Sequence, residues 1–344
     1  MSAGIPSKAQ KPSVHCIDSD ELALFNSLHR ASIFSIDQIV GCLVEAEGRD
    51  INQNGTMGDT PLAWAAWNGH EAVVELLLSR ADIDPDKPGE GGRTPLMRAA
   101  CNGHEGVVKI LLGRDDVNPD KPDQRGKTAL GLCACYGCER MVKVLLQRDD
   151  INPNKRDIQG QTPLNCAAQI GHAEVVKMLL GRDDVNPNTP DHLGSTPLTW
   201  CARNGDEELV KILLGRDDVN INYLNERCRE PLWWAANCGH ERIVKILLGG
   251  DDINPDRPDG IGQTPLSRAA ANGHAGVVEI LLGRNDVNPN YSNEDGQTPL
   301  FRAAYRGDEY FVHFFVISLV FYMDGNRFLV VQCAKNQQIL TCRF

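Results

Sequence analysis

The chain has 344 residues, 42% apolar and 24% charged, and a net charge of −11. That is room for two or three globular domains or one extended array, at the composition of an ordinary globular protein. The acidity removes the counterion-release drive toward nucleic acid and repels anionic membrane surfaces.

The chain opens on MSAGIPSKAQKPSVHC, which has no apolar core of the kind a signal peptide needs. Residues 1–19 are polar and rich in Pro, Ser and Lys, so a disordered leader is expected there. Twelve cysteines lie scattered along the sequence. Without a secretion signal they read as reduced thiols of a cytoplasmic or nuclear protein.

Residues 20–58 are a faint copy of the segment 34 positions later. Counting back 34 positions from Leu62 gives Leu28, and Ala31 then falls on Ala65. Ile39 and Val40 fall on Val73 and Val74, Leu43 and Val44 on Leu77 and Leu78, and Ser35 on a glycine. This segment is expected to be a degenerate N-terminal capping repeat.

From 59 to 316 a Thr-Pro-Leu triplet or a relative recurs at Thr60, Thr94, Thr128, Thr162, Thr196, Glu230, Thr264 and Thr298, always 34 residues apart. Each threonine suits a helix N-cap and the proline after it suits the first helical position. Nine residues on stands a glycine, Gly69 in the first unit and Gly273 in the seventh, placed to end a short helix in the left-handed conformation. A second apolar stripe comes next, as in Val277, Val278, Leu281 and Leu282. Gly283 stops it, and Asp, Asn, Pro and Gly supply a turn. Neither helix can bury its stripe alone, so the units must stack: the expected fold is an all-α repeat solenoid of helix-turn-helix units with projecting β-turn fingers.

The T-P-L, A-A, N-G-H, V-V-x-x-L-L and D-V-N elements together closely resemble the ankyrin repeat, over about residues 26–316. Two departures stand out. The slot after T-P-L, usually His in that family, holds Ala63, Met97, Gly131, Asn165, Thr199, Trp233, Ser267 and Phe301. The period is 34 rather than 33, as in arrays that resemble those of fungal multidomain proteins.

The tail 317–344 is atypical. YFVHFFVISLVFYM (310–323) is nearly all apolar but shorter than the roughly 20 residues a membrane helix needs. Its first part still fits the repeat, and DGN (324–326) before RFLVV suggests a hairpin. Three readings stay open: an apolar cap, a contact with another domain or a membrane, or the mispredicted end of a longer protein, which is favoured.

Four local signals bear on chemistry. In GRDDVNPDKPD, Asp116, Asn118 and Asp120 match the first positions of a calcium loop, but Lys121 and Lys127 stand where Gly and Glu are required. The stretch reads as a turn. GKT at 126–128 lacks the glycine that begins a phosphate loop. Cys133, Cys135 and Cys138 fall in repeat slots rather than at zinc spacing. Histidines 70, 104, 172, 240 and 274 share one slot, which suits a structural bond at the start of the second helix and not catalysis. No catalytic, metal or cofactor set is expected.

The resemblance implies a non-catalytic, monomeric scaffold that binds a partner protein on a concave surface of finger tips and first-helix positions. The rival is the sensor part of a larger effector. The partner-binding residues it implies are Trp67, Arg93, Lys127, Tyr136, Gln169, Arg203, Arg229 and Tyr305, and aromatic enrichment adds Trp200, Tyr223 and Trp233. Trp64, Trp200 and Trp234 share a slot expected to be core, whereas Trp67 and Trp233 are expected to be exposed. The sharpest cluster is Trp200 of the Thr196 repeat with Tyr223, Arg229 and Trp233, which belong to the repeat that has lost its threonine and its finger glycine.

Overall fold

The computed structural model describes residues 27–35, 38, 40–42, 50–55, 58–250, 252–307, 309–322, 329–333 and 338–342. They fall into two compact units: Met1–Ala129 with Gln147–Asp150, and Leu130–Leu146 with Ile151–Phe344. Both are built from one local device.

In the Thr60 repeat, helices span Pro61–Asn68 and Glu71–Leu78. Thr60 Oγ1 accepts the amide of Ala63 at 3.1 Å, and Pro61 needs no amide partner at the first helical position. Thr94, Thr162, Thr196, Thr264 and Thr298 cap their helices in the same way. Each cap contributes about 1 kcal/mol. Eight residues are too few for an isolated helix to hold in water, so the array depends on packing. Val73, Val74 and Leu77 are fully buried, as are Val175, Val176 and Leu179 at the matching positions. Within the first unit Pro61–Asn68 packs on Pro95–Asn102 and Glu71–Leu78 on Glu105–Leu112. Within the second, the first helices from Pro163–Ile170 through Pro299–Tyr305 pack in series.

The glycine that ends each first helix does more than turn the chain. Gly69 has φ of 77°, and a Cβ there would come within 2.4 Å of the His104 ring. The histidines do not cap their own helices. His104 Nε2 instead bonds the Trp67 carbonyl at 2.8 Å, 37 residues back. His70, His172, His240 and His274 reach Ile33, Cys135, Arg203 and Asn237 by the same offset. The expected bond at the helix start is therefore a bond between repeats.

The acidic turn is a clamp. Arg114 grips Asp116 with two bonds, at 2.8 and 2.7 Å, and its Nη1 donates to the Leu78 carbonyl of the preceding repeat at 2.8 Å. Arg148, Arg182, Arg216 and Arg284 do the same with Asp150, Asp184, Asp218 and Asp286. In the Glu230 repeat Gly250 stands in the arginine's slot. Farther along each turn, Asn154 Oδ1 accepts the Asn186 amide while its Nδ2 donates to the Asp184 carbonyl. Asn52 and Asn188 bridge neighbours likewise.

Asp86 and Asp256 fill that slot with a carboxylate. Each accepts one amide, from Asn118 or Asn288, but its Oδ1 has no hydrogen-bond partner. Burial raises both carboxyl pKa values above the ordinary range, against the lowering by that amide bond. Such groups disfavour the ionised fold, so stability falls as pH rises through the carboxylate range. Asp86→Asn is expected to add about 1 kcal/mol at pH 7, through a restored Nδ2 bond, and little near pH 3. Urea unfolding at both pH values checks this.

At the N-terminal end the helix Ser27–Phe34 packs on Pro61–Asn68. Leu28, Ala31 and Val40 are buried, and Ser35 takes a φ of 54° in the glycine slot. Ile39, Leu43, Val44 and the leader 1–19 lie outside the described residues. At the other end the last second helix runs on as Glu309–Tyr322, with Ile317 in the slot that Gly113, Gly181, Gly215 and Gly283 fill at the ends of four counterparts. Phe311 and Phe315 take the buried positions. Strands Leu329–Cys333 and Gln338–Cys342 then pair antiparallel. The hairpin expected at DGN falls on 324–326, which lie outside the described residues. No helix among the described residues is long and apolar enough to cross a membrane.

Candidate functional site

Finger tips and first-helix faces are held by separate local devices. At the six fingers from Asp123 onward an Asp or Asn folds the turn around its own side chain, in a slot that Gly55 and Gly89 fill in the two fingers before them. Asp123 Oδ1 accepts the amides of Arg125 and Lys127, both at 2.8 Å. Asp157, Asp191, Asn225, Asp259 and Asn293 repeat the pattern two and four residues on. Neighbouring fingers are joined by single backbone bonds, Gln124 to Gly91, His192 to Gln159 and Gly260 to Arg227. The finger prolines thus leave little edge to pair, and the residue before each Thr is fixed in place.

In the second unit the first helices carry a continuous stack of alternating rings and guanidinium groups. Arg203 lies 5.3 Å from the Trp200 ring centroid and 4.8 Å from that of Trp234. Arg229 lies 5.5 Å from Trp234 and 4.2 Å from Trp233. Arg268 meets Trp233 at 5.1 Å, and the two adjacent indoles meet edge to face at 5.0 Å. Each cation–π contact contributes about 0.5–1 kcal/mol where exposed and more where dry. Hydrogen bonds fix the ends: Trp200 Nε1 to Asp191, Trp233 Nε1 to the Gln263 carbonyl, and Arg268 to Asn237 Oδ1. Arg229 also meets Asp259 at 3.3 Å.

Three of the four residues of the expected cluster come together here. Tyr223 does not; among the described residues it joins none of these ring or guanidinium contacts. Trp233, expected to be exposed, is 1% exposed. Its slot is interior in the repeats before the last, where Ala63, Met97, Asn165, Thr199 and Ser267 are also buried, and half-buried at Phe301. Trp200 is buried as a core slot should be, while Trp64 and Trp234 keep partial exposure. Trp67 is half-buried beneath the Arg98 guanidinium, at 4.5 Å in the first unit. Tyr136, Arg203 and Tyr305 are exposed, and Arg93, Lys127 and Gln169 are half-buried. Gln169 accepts from Gln161 Nε2.

Sequence reasoning missed Arg98, Arg268 and the bridging role of Trp234. The slot four after each threonine reads Trp64, Arg98, Leu132, Cys166, Trp200, Trp234, Arg268, Arg302. Read down that column, the juxtaposed Trp and Arg are the signal.

Beside the stack sits an unusual carboxyl. Glu230 replaces the capping threonine, is 1% exposed, and neither of its oxygens has a hydrogen-bond partner. Arg257 approaches only to 3.6 Å. Burial pushes its pKa up to about 7, against a smaller lowering by Arg257. The folded state therefore holds the proton more tightly than the unfolded chain, and stability falls as pH rises from about 4.5 to about 7. Glu230→Thr is expected to gain about 3 kcal/mol above that window and far less at pH 4.5. Urea midpoints at pH 4.5 and 8 check it; an equal gain at both would refute the burial account.

The thiols sit in repeat slots. Cys133 and Cys201 are buried in alanine slots. Cys138 begins the helix Glu139–Leu145 in the histidine slot, and its hydrogen bond with Cys133 lowers its pKa to about 7 against the upward push of burial. Among the described residues no group of His, Cys, Asp or Glu could hold a metal ion.

A protein-family model described as ankyrin repeats (3 copies) matches residues 15–89, 81–157, 151–225, 184–259 and 232–327. A comparison with curated proteins gave no match.

Proposed function

The chain belongs to the ankyrin repeat family, and on that premise we propose that it is a non-catalytic, monomeric scaffold that holds a partner protein against its first helices and fingers. Ankyrin repeats are generally protein–protein interaction modules. The observation that carries the reading is the Trp–Arg stack on successive first helices of the second unit. Trp and Arg are the side chains most often found at binding hot spots. Here they are fixed before any partner arrives, so little ordering entropy is lost on binding. The opposite, second-helix side presents short-range ion pairs instead, Lys109 with Glu105 and Lys211 with Glu207. Pairs of that kind neutralise a surface and add little affinity.

Photo-crosslinking tests the reading. A benzophenone side chain at position 203 or 305 is expected to capture protein partners in cells, and one at position 211 is not. Adducts formed only from position 211 would place recognition on the other side and refute it.

A further inference from the structure

We propose that the stack running from Trp200 through Arg203, Trp234, Arg229 and Trp233 to Arg268 receives an acidic segment of the partner protein. The inference rests on the scaffold reading and adds the chemistry of what is bound.

The clamp arginines and Arg98 are matched with their own carboxylates. With a net charge of −11, carboxylates are plentiful. Each clamp arginine holds an aspartate two residues away. Arg98 is the informative comparison, because it occupies the same repeat slot as Arg268. Arg98 is buried and takes both oxygens of Asp59, at 2.8 and 2.7 Å. Arg268 is half-buried and bonds only the neutral amide of Asn237. Arg203 is exposed, and among the described residues neither it nor Arg268 has a carboxylate within 4.0 Å. Arg302, next in the column, bonds the amide oxygen of Gln297 at 3.1 Å. Asp259 on Arg229 and Asp191 on the Trp200 indole are the carboxylates that do reach the stack.

Among the described residues, three cations in four repeats, Arg203, Arg268 and Arg302, are thus left without their own anions on an acidic chain. Burial lowers the Arg268 pKa first, and the like charges of Arg302 and Arg229 lower it further. A segment bearing Asp or Glu would relieve that repulsion and find planar guanidinium forks already oriented by the rings beneath them. An acidic partner would otherwise be repelled by the chain as a whole, so the stack also fixes where it lands.

The test pans a random decapeptide display library on the full chain. The selected peptides are expected to be enriched in Asp and Glu and to bind more weakly as salt rises. Arg203→Glu, with Arg203→Glu/Arg302→Glu as a second variant, is expected to weaken them by about tenfold or more at an unchanged circular dichroism spectrum. Arg242→Glu, on a side chain 84% exposed on a second helix, should leave binding unchanged. Peptides lacking carboxylates that still lose affinity to Arg203→Glu would overturn the acidic partner and leave the scaffold reading standing. Peptides indifferent to both variants would overturn the two together. A library yielding no binder overturns the acidic segment, with the crosslinking result deciding the scaffold separately.

Discussion

Trp233→Ala is expected to lower the unfolding free energy of the second unit by about 3–5 kcal/mol, the usual cost of truncating a fully buried aromatic. The indole is 1% exposed and donates from Nε1 to the Gln263 carbonyl at 3.1 Å. Its removal opens a cavity between repeats, takes one of two donors from that carbonyl, which keeps the Asp259 amide, and removes the surface on which Arg229 and Arg268 rest. Arg203→Ala, at an exposed position, should stay within about 0.5 kcal/mol of the parent. Urea titrations followed by circular dichroism separate the two. A Trp233→Ala loss below about 1 kcal/mol would show that the slot collapses without penalty. The practical consequence is direct: partner loss in Trp233→Ala would report unfolding, whereas loss in an Arg203 variant would report contact.

The second large effect lies in the first unit. Arg98→Met should cost about 3–5 kcal/mol at neutral pH, because it strands the buried Asp59 carboxylate. Burial already holds Asp59 above the ordinary carboxylate range, and Arg98 offsets part of that rise. Without Arg98 only the Glu90 amide remains among its bonds, and the pKa climbs further. The folded form then favours the proton more strongly, so the loss is largest at pH 7 and shrinks on acidification. Arg98→Met with Asp59→Asn should recover much of the stability. An equal loss at pH 7 and pH 4, or no recovery in the pair, would refute the stranded-charge account.

Much of the fold was legible because it is written in local chemistry. Thr-Pro-Leu caps and starts a helix by effects that span four residues, and Gly at φ near 80° ends it. The bonds between repeats were not legible. Arg114 looks like a charge-balancing neighbour of Asp116 until its third donor is seen on Leu78. The repeated histidine looks like a cap until its ring is seen over the previous repeat's glycine. Trp233 was misplaced because an eight-residue helix has three faces and the sequence does not say which one the next repeat covers. The candidate site was half visible: Trp200, Arg203 and Arg229 stood out by type, but Arg268 and Trp234 gain their part only through the stack.

The offsets of those bonds have a consequence for how such a chain can change length. Side chains reach 30 residues forward from Asn52, 36 back from Arg114 and 37 back from His104. Inserting or deleting one residue within a repeat puts every lock that spans it out of phase. Copying or excising a full 34-residue block leaves each lock with an equivalent partner. The molecule can therefore grow or shrink in whole quanta, a step set by the same contacts that hold it folded.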